Sequence, residues 1–165
     1  MRIALIHYDV DRLVNEASNK TAMNHFGHMP NIQLLYVAAV LEKLDLEIAY
    51  YDLVGMKISD HELETKLKAF KPDMIALSVY TSHFHNASSY AARFKAMLPG
   101  VKILFGGVHM RIFPEATLKN DPNVDFGCVG EAEMVLPEFI RRFKAGESLE
   151  GLLGLGEVVD LDRGQ

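Results

Sequence analysis

The chain has 165 residues, of which 49% are hydrophobic and 24% charged, and its formal net charge is −5. This composition is typical of one globular domain with a hydrophobic core, and the acidic balance argues against a nucleic-acid-binding surface. The single cysteine, Cys128, excludes an internal disulfide and a cysteine-based metal cluster. There is no apolar run of membrane-spanning length and no signal peptide, which predicts a cytoplasmic protein that does not associate with membranes.

The amino-terminal part of the chain predicts a strand, a long connection, a helix and a second strand. Arg2 to His7 is an apolar strand, and the segment from Tyr8 to Pro30 has a length that is usually functional or mobile. Asn31 can cap a helix from Ile32 to Leu44 that is apolar on nearly every side. One face of this helix must meet a sheet, and the other needs a cover such as a ligand or another domain. Leu46 to Leu53 is the second strand.

The remaining elements alternate in the same way. Ser59 and Glu62 have the spacing of a capping box, which opens an amphipathic helix that reaches Phe70. The apolar pattern then predicts strands at 74–79, 101–105 and 124–129, and helices at 87–98, 113–118 and 131–144. Gly146 can close the last helix.

Alternating strands and helices predict an α/β fold. With five strands of these lengths, we expect a flavodoxin-like (Rossmann-like), doubly wound parallel sheet in the order 2-1-3-4-5, with helices on both faces. In such sheets the ligand crevice lies between the first and third strands. Residues 1–145 would form this domain. Residues 146–165 would form a linker or the start of a following domain, with one extra strand at 157–161.

A glycine pair, Gly106 and Gly107, directly follows the fourth predicted strand. Adjacent glycines indicate either a backbone with positive φ, as in a tight turn, or an approach closer than a Cβ atom allows. The hydroxyls of Ser78, Thr81 and Ser82 follow the third strand and would lie at the same sheet edge. This combination suits an uncharged polar ligand part in a crevice. Neither a phosphate-binding P-loop nor a dinucleotide-binding glycine fingerprint occurs.

Four segments together carry a resemblance to a known family. They are residues 30–42, 71–82, 105–109 with 113–115, and 129–133, and the gaps between them also resemble the family pattern. The chain resembles the cobalamin (B12)-binding domain found at the N-terminus of radical S-adenosylmethionine enzymes. The resemblance implies a cofactor site formed by Asn31, Gln33, Leu34, Ser78, Tyr80, Thr81, His83, Gly106, Gly107, Val108, His109, Val129, Gly130 and Glu131.

One departure from the family of cobalamin-binding modules concerns the cobalt. These modules carry Asp-x-His-x-x-Gly, in which the histidine ligates cobalt, whereas Asn31 and Gln33 occupy the two corresponding positions here. The resemblance therefore implies base-off binding of cobalamin without a motif histidine. A protein ligand to the metal would come from elsewhere, with His25 and His28 as candidates. The alternative is that these two are solvated loop histidines. Replacing Gly106 or Gly107 by valine is expected to abolish corrinoid binding while the fold survives.

The resemblance also implies a role in methyl transfer or a related rearrangement. Radical S-adenosylmethionine chemistry needs a Cys-x-x-x-Cys-x-x-Cys motif, which a single cysteine cannot supply. The iron–sulfur cluster and S-adenosylmethionine would then belong to a following domain or a separate partner protein, and this chain would be a truncated domain or a stand-alone carrier. The alternative from a different class is a non-catalytic flavodoxin-like signalling or partner-binding module without corrinoid, in which residues 8–30 would contact the partner.

Overall fold

The computed structural model describes residues 1–8 and 30–149, together with the backbone of 157–159. The strands are β1 Arg2–His7, β2 Glu47–Asp52, β3 Met74–Ser78, β4 Lys102–Gly106, β5 Phe126–Val129 and β6 Glu157–Val159. They form one sheet in the order β2-β1-β3-β4-β5-β6. The first five strands are parallel, as predicted, and the short β6 pairs antiparallel to β5.

Helices cover both faces of the sheet, which confirms the predicted fold class. They are α1 Ile32–Leu41, α2 Asp60–Phe70, α3 Phe84–Met97, α4 Val108–Ile112, α5 Pro114–Asn120 and α6 Ala132–Ala145, with a 3-10 turn at Thr81–His83. Helices α1 and α6 pack on one face, and α2 to α5 contribute to the core on the other. Among the described residues, no helix has the length and apolar character that crossing a bilayer requires.

Two helices begin at the capping residues that the sequence predicts. The side chain of Asn31 accepts a hydrogen bond from the Leu34 N–H at 3.1 Å, and Ser59 and Glu62 form a reciprocal capping box at the start of α2. Helix α1 ends at Leu41, three residues before the predicted end. The N–H groups of Lys43 and Leu44 bond to carbonyls three residues back, so the chain leaves α1 through a tighter turn.

The segment after the glycine pair differs from the prediction, because it forms two helices instead of one. Helix α4 starts immediately after Gly107 and holds five residues, too few to show a helical period in the sequence. The His109 N–H donates to the Val79 carbonyl at 3.0 Å, which ties α4 to the residue after β3. Helix α5 then starts with Pro114 in its first turn, where proline is tolerated.

Side chains alternate between the two faces along each strand, so the sheet separates two hydrophobic clusters. On β3, Ile75 and Leu77 belong to the cluster under α2 and α3, whereas Met74 and Ala76 belong to the cluster under α1 and α6. The five parallel strands share one direction, so their carboxyl ends lie together at one edge of the sheet. The candidate site lies at this edge.

Candidate functional site

A groove of about 210 Å3 opens at the carboxyl edge of the sheet, between α1 and α6. Its floor is lined by one residue from each of four strands, Leu5, Ala76, Leu104 and Cys128, and its walls include Val37 of α1 and Leu136 of α6. All six residues are buried and apolar in character. The predicted crevice between the first and third strands is thus one end of a groove that extends to β5.

The groove exists because the last side chains that β3, β4 and β5 place on this face of the sheet are small. Ala76 and Ser78 are successive residues on this face of β3, Gly106 ends β4, and Cys128 lies near the end of β5. Helices packed on a sheet are held away by the side chains beneath them, and small side chains leave space that the helix backbones cannot enter. The result is an apolar slot bordered by polar groups.

Gly106 provides the sharpest test of whether this slot fits a bulky ligand. Its backbone is part of a β-strand and does not have a positive φ, so any residue type could adopt it. A Cβ atom added at Gly106 would have as its nearest neighbour the Cβ of Cys128, at 3.9 Å, which is an ordinary contact. Neither the backbone nor the surrounding protein requires glycine here. A side chain at this position would take up space in the groove itself.

Gly107 is a glycine for a different reason. Its φ is +86°, a conformation that other residues rarely adopt. An added Cβ would also lie 2.9 Å from both the backbone N and O of Val79. In contrast to the expectation from the sequence, we therefore predict that Gly107→Val destabilises the fold, because this glycine makes the turn between β4 and α4. The turn accounts for Gly107, and the close approach of a ligand stays a prediction for Gly106.

His109 lies beneath this turn and away from the groove. It is 5% exposed, its ring stacks on Phe84 at 4.4 Å between centroids, and its Nε2 and Nδ1 lie 2.9 and 3.3 Å from the hydroxyls of Thr117 and Thr81. Burial lowers the pKa of His109 below its ordinary value. A neutral ring can donate from one nitrogen and accept at the other, so His109 links the 3-10 turn to α5. Its predicted contact with a corrin stays a prediction.

Polar and aromatic groups border the mouth of the groove. Gln33 and Glu131 line it and are exposed, and the Arg111 guanidinium lies 3.8 Å from the Glu131 carboxylate. Tyr36, on α1, is 65% exposed at the same opening. A molecule with an apolar end and a polar remainder would therefore meet matching surroundings at both depths.

The structure brings together eight of the predicted site residues along this groove. They are Gln33, Leu34, Ser78, Gly106, Gly107, Val108, Gly130 and Glu131. Three others, Asn31, Tyr80 and His83, border a neighbouring cavity of about 260 Å3 that shares Ser78. Thr81 contacts His109, and Val129 ends β5 half-buried, opposite Glu157 of β6. The candidate metal ligands His25 and His28 lie outside the described residues.

Sequence reasoning missed the six apolar residues of the floor and walls, together with five others that line the groove. The missed lining residues are Leu5, Tyr36, Val37, Ala76, Leu77, Leu104, Arg111, Cys128, Ala132, Glu133 and Leu136. Strand alternation could have indicated two of them, because Ala76 and Leu104 lie two positions before Ser78 and Gly106 and so share their face. Cys128 is buried core, as expected, and it also borders the groove.

Within the described ranges, no cluster of histidine, cysteine, aspartate and glutamate side chains has the arrangement of a metal site. The buried carboxylate of Asp52 instead orders a loop, since it accepts hydrogen bonds from the N–H groups of Val54 and Gly55 at 3.1 and 2.9 Å. It also lies 3.2 Å from Nδ1 of His7.

Comparison with known proteins gives a family match and a set of relatives. Residues 22–140 match the family described as the B12 binding domain. An uncharacterized methyltransferase of Pyrococcus horikoshii is 26% identical over 126 residues, which cover 76% of this chain and 27% of that protein.

Two solved structures share the fold. The radical S-adenosylmethionine methyltransferase TsrM from Kitasatospora setae, with tryptophan and an S-adenosylmethionine analogue bound, superimposes with a TM-score of 0.70 at 15% identity, covering 99% of this chain and 29% of TsrM. The cobalamin-dependent S-adenosylmethionine radical enzyme OxsB, with aqua-cobalamin and S-adenosylmethionine bound, gives 0.67 at 19% identity, covering 96% and 22%. The chain thus spans about a quarter of the length of these relatives.

Proposed function

Because this chain belongs to the B12-binding domain family, we propose that its groove binds cobalamin in the base-off form, with the nucleotide tail between α1 and α6. The observation that supports this most directly is the open space beside Gly106, where neither backbone conformation nor packing calls for glycine. Ala76, Leu104 and Cys128 would contact the buried part of the tail. Bound cobalamin would supply a cobalt centre that can carry a methyl group.

The start of α1 supports a complex without a histidine ligand from this helix. The side-chain oxygen of Asn31 caps the helix by accepting the Leu34 N–H, so it has a structural task. Gln33 is exposed and lines the groove, and a carboxamide is a much poorer cobalt ligand than an imidazole. The lower axial position would then be left to water or to a group from another part of the protein.

We further propose that the chain presents its corrinoid to a radical S-adenosylmethionine domain, either following in the same protein or in a separate partner. This chain has one cysteine and lacks the three-cysteine motif that such chemistry needs. Apolar side chains point outward around α1, where Ile32, Leu35 and Tyr36 are 51%, 38% and 65% exposed. The sequence predicted that this helix needs a second cover, and a partner domain above the groove would supply it.

Loading of the purified chain with hydroxocobalamin tests the binding proposal. After desalting, we expect a coloured protein with the visible spectrum of base-off cobalamin. A colourless protein would contradict the proposal and would favour the partner-binding module without corrinoid.

Electron paramagnetic resonance of the cob(II)alamin complex tests the missing axial ligand. In the wild-type complex we expect no nitrogen coupling from any histidine or from the benzimidazole. Strong histidine coupling in the wild type would contradict this expectation and would implicate His25, His28 or another histidine. The double change Asn31→Asp with Gln33→His should introduce such coupling, since a carboxylate would orient the new imidazole. Absence of new coupling in the double variant would mean that the start of α1 lies too far from the cobalt.

A further inference from the structure

The apolar floor of the groove supports an inference about which corrinoids the protein accepts, and it rests on the proposed binding of cobalamin. We infer that the floor selects the lower base of the cofactor: it accepts benzimidazole and phenolic bases and rejects purines, and Cys128 is one residue that sets this preference. The relevant contrast is chemical. The edge of a dimethylbenzimidazole or cresol base remote from its ribose carries only methyl groups, whereas the same edge of adenine carries ring nitrogens and an amine.

The side chains of the floor offer nothing to pair with those purine groups. Leu5, Ala76 and Leu104 are hydrocarbon and at most 6% exposed. The polar groups that line the groove lie outside this hydrocarbon floor: Gln33, Arg111 and Glu131 are exposed at the mouth, Ser78 is half-buried two residues beyond Ala76 on β3, and Glu133 is half-buried in the first turn of α6. An adenine base in the slot would place donors and acceptors against hydrocarbon, and buried polar groups without partners are costly.

The backbone of the floor is equally closed to hydrogen bonding. Leu5 lies in β1 and is paired on one side with β2 and on the other with β3. Ala76 is paired with β1 and β4, and Leu104 with β3 and β5. In such interior strands the N–H and C=O groups are used by the neighbouring strands, so they are not available to a base.

Cys128 is the floor residue with a heteroatom, and it is a weak hydrogen-bonding group. Its side chain is buried beside the open space at Gly106. A Cβ atom added to Gly106 would lie 3.9 Å from the Cβ of Cys128. Burial raises the pKa of the thiol to about 12, so the group is neutral at physiological pH. A neutral thiol donates and accepts weakly, and it fills this position as a small hydrophobic group would.

The test is a comparison of four corrinoids on the full chain by spectroscopic titration: cobalamin, a cresol-containing cobamide, an adenine-containing cobamide, and cobinamide, which lacks the nucleotide. We expect cobalamin and the cresol cobamide to bind within a few-fold of each other and the adenine cobamide to bind at least about tenfold more weakly. Equal affinity for the adenine and benzimidazole forms would overturn the inference. Failure of every corrinoid to bind would instead contradict the proposed function itself.

Two substitutions at one position sharpen the test. Cys128→Ser keeps about the same side-chain size and adds a strong donor and acceptor. It should therefore reduce the ratio of the affinities for cobalamin and the adenine cobamide several-fold. The matched control Cys128→Ala adds no hydrogen-bonding group and should leave this affinity ratio as in the wild type. An unchanged affinity ratio in Cys128→Ser would show that this residue does not set the preference. If the serine variant does not fold, the comparison of the four corrinoids on the wild-type chain still tests whether the floor rejects purines.

Discussion

The two faces of the sheet carry side chains of different size at the carboxyl edge. On the face covered by α2 to α5, large side chains continue to the end of the strands, and Ile6, Leu77 and Phe105 are at most 1% exposed. On the face covered by α1 and α6, the corresponding last positions hold Ser78 and Gly106. Tight packing on the first face stabilises the fold. The small residues on the second leave a slot between its two helices, where a ligand can bind without unpacking the core.

The largest expected effect comes from removing a side chain on the closed face. Phe105→Ala should lower the free energy of unfolding by roughly 3–5 kcal/mol, because the cavity would be sealed on all sides. Urea denaturation measures this loss. Leu104→Ala, on the same strand but facing the groove, is the matched control and should cost about 2 kcal/mol, since its cavity would only extend an existing opening. Equal losses would contradict the difference between the faces.

The glycine pair separates stability from binding at neighbouring positions. Gly107→Ala should lower the free energy of unfolding by roughly 2–3 kcal/mol, because φ is +86° and the added Cβ would meet the Val79 backbone. Gly106→Ala should change stability by less than about 1 kcal/mol. Gly106→Val should fold and bind cobalamin at least about tenfold more weakly. Native circular dichroism with unchanged cobalamin affinity in Gly106→Val would mean that the groove beside this residue is not used.

Filling the floor should weaken cobalamin binding while leaving the fold intact. Ala76→Leu adds hydrocarbon to an open apolar slot, so we expect stability to change by less than about 1.5 kcal/mol and cobalamin affinity to fall at least about tenfold. Cobinamide, which lacks the nucleotide tail, is the control ligand and should bind the variant and the wild type alike. A parallel loss of cobinamide binding would place the effect of this substitution outside the tail groove.

The smallest expected effect concerns His109 on the closed face. Burial lowers the pKa of this imidazole in the folded protein, so below about pH 6.5 the unfolded chain takes up a proton that the folded chain does not. Stability should therefore fall as the pH decreases through this window, with a contribution of at most about 1.4 kcal/mol per pH unit. Urea denaturation at pH 7.5, 6.5 and 5.5 measures the slope. The variant His109→Gln should show a shallower slope, and an identical slope in both proteins would contradict the assignment.

The sequence by itself determined the fold class, the strand order and the family. Strand-forming apolar runs alternate with helical periods, and capping residues such as Asn31 and Ser59 lie where the helices begin. These signals are local, because backbone propensity, side-chain periodicity and cap hydrogen bonds act within a few residues. The resemblance to the B12-binding domain rested on short segments, and the family match confirmed it. The same segments predicted eight of the residues that line the groove.

Only the tertiary structure decided which members of those segments do what. Gly106 and Gly107 are indistinguishable as letters, yet one makes a turn against Val79 and the other leaves space beside Cys128. His109 follows them directly and packs instead between Phe84 and two threonines. The floor of the groove comes from four strands that are distant in sequence, and whether a small side chain borders a cavity depends on what packs opposite it. That information lies in the pairing of the strands and in the gap between α1 and α6.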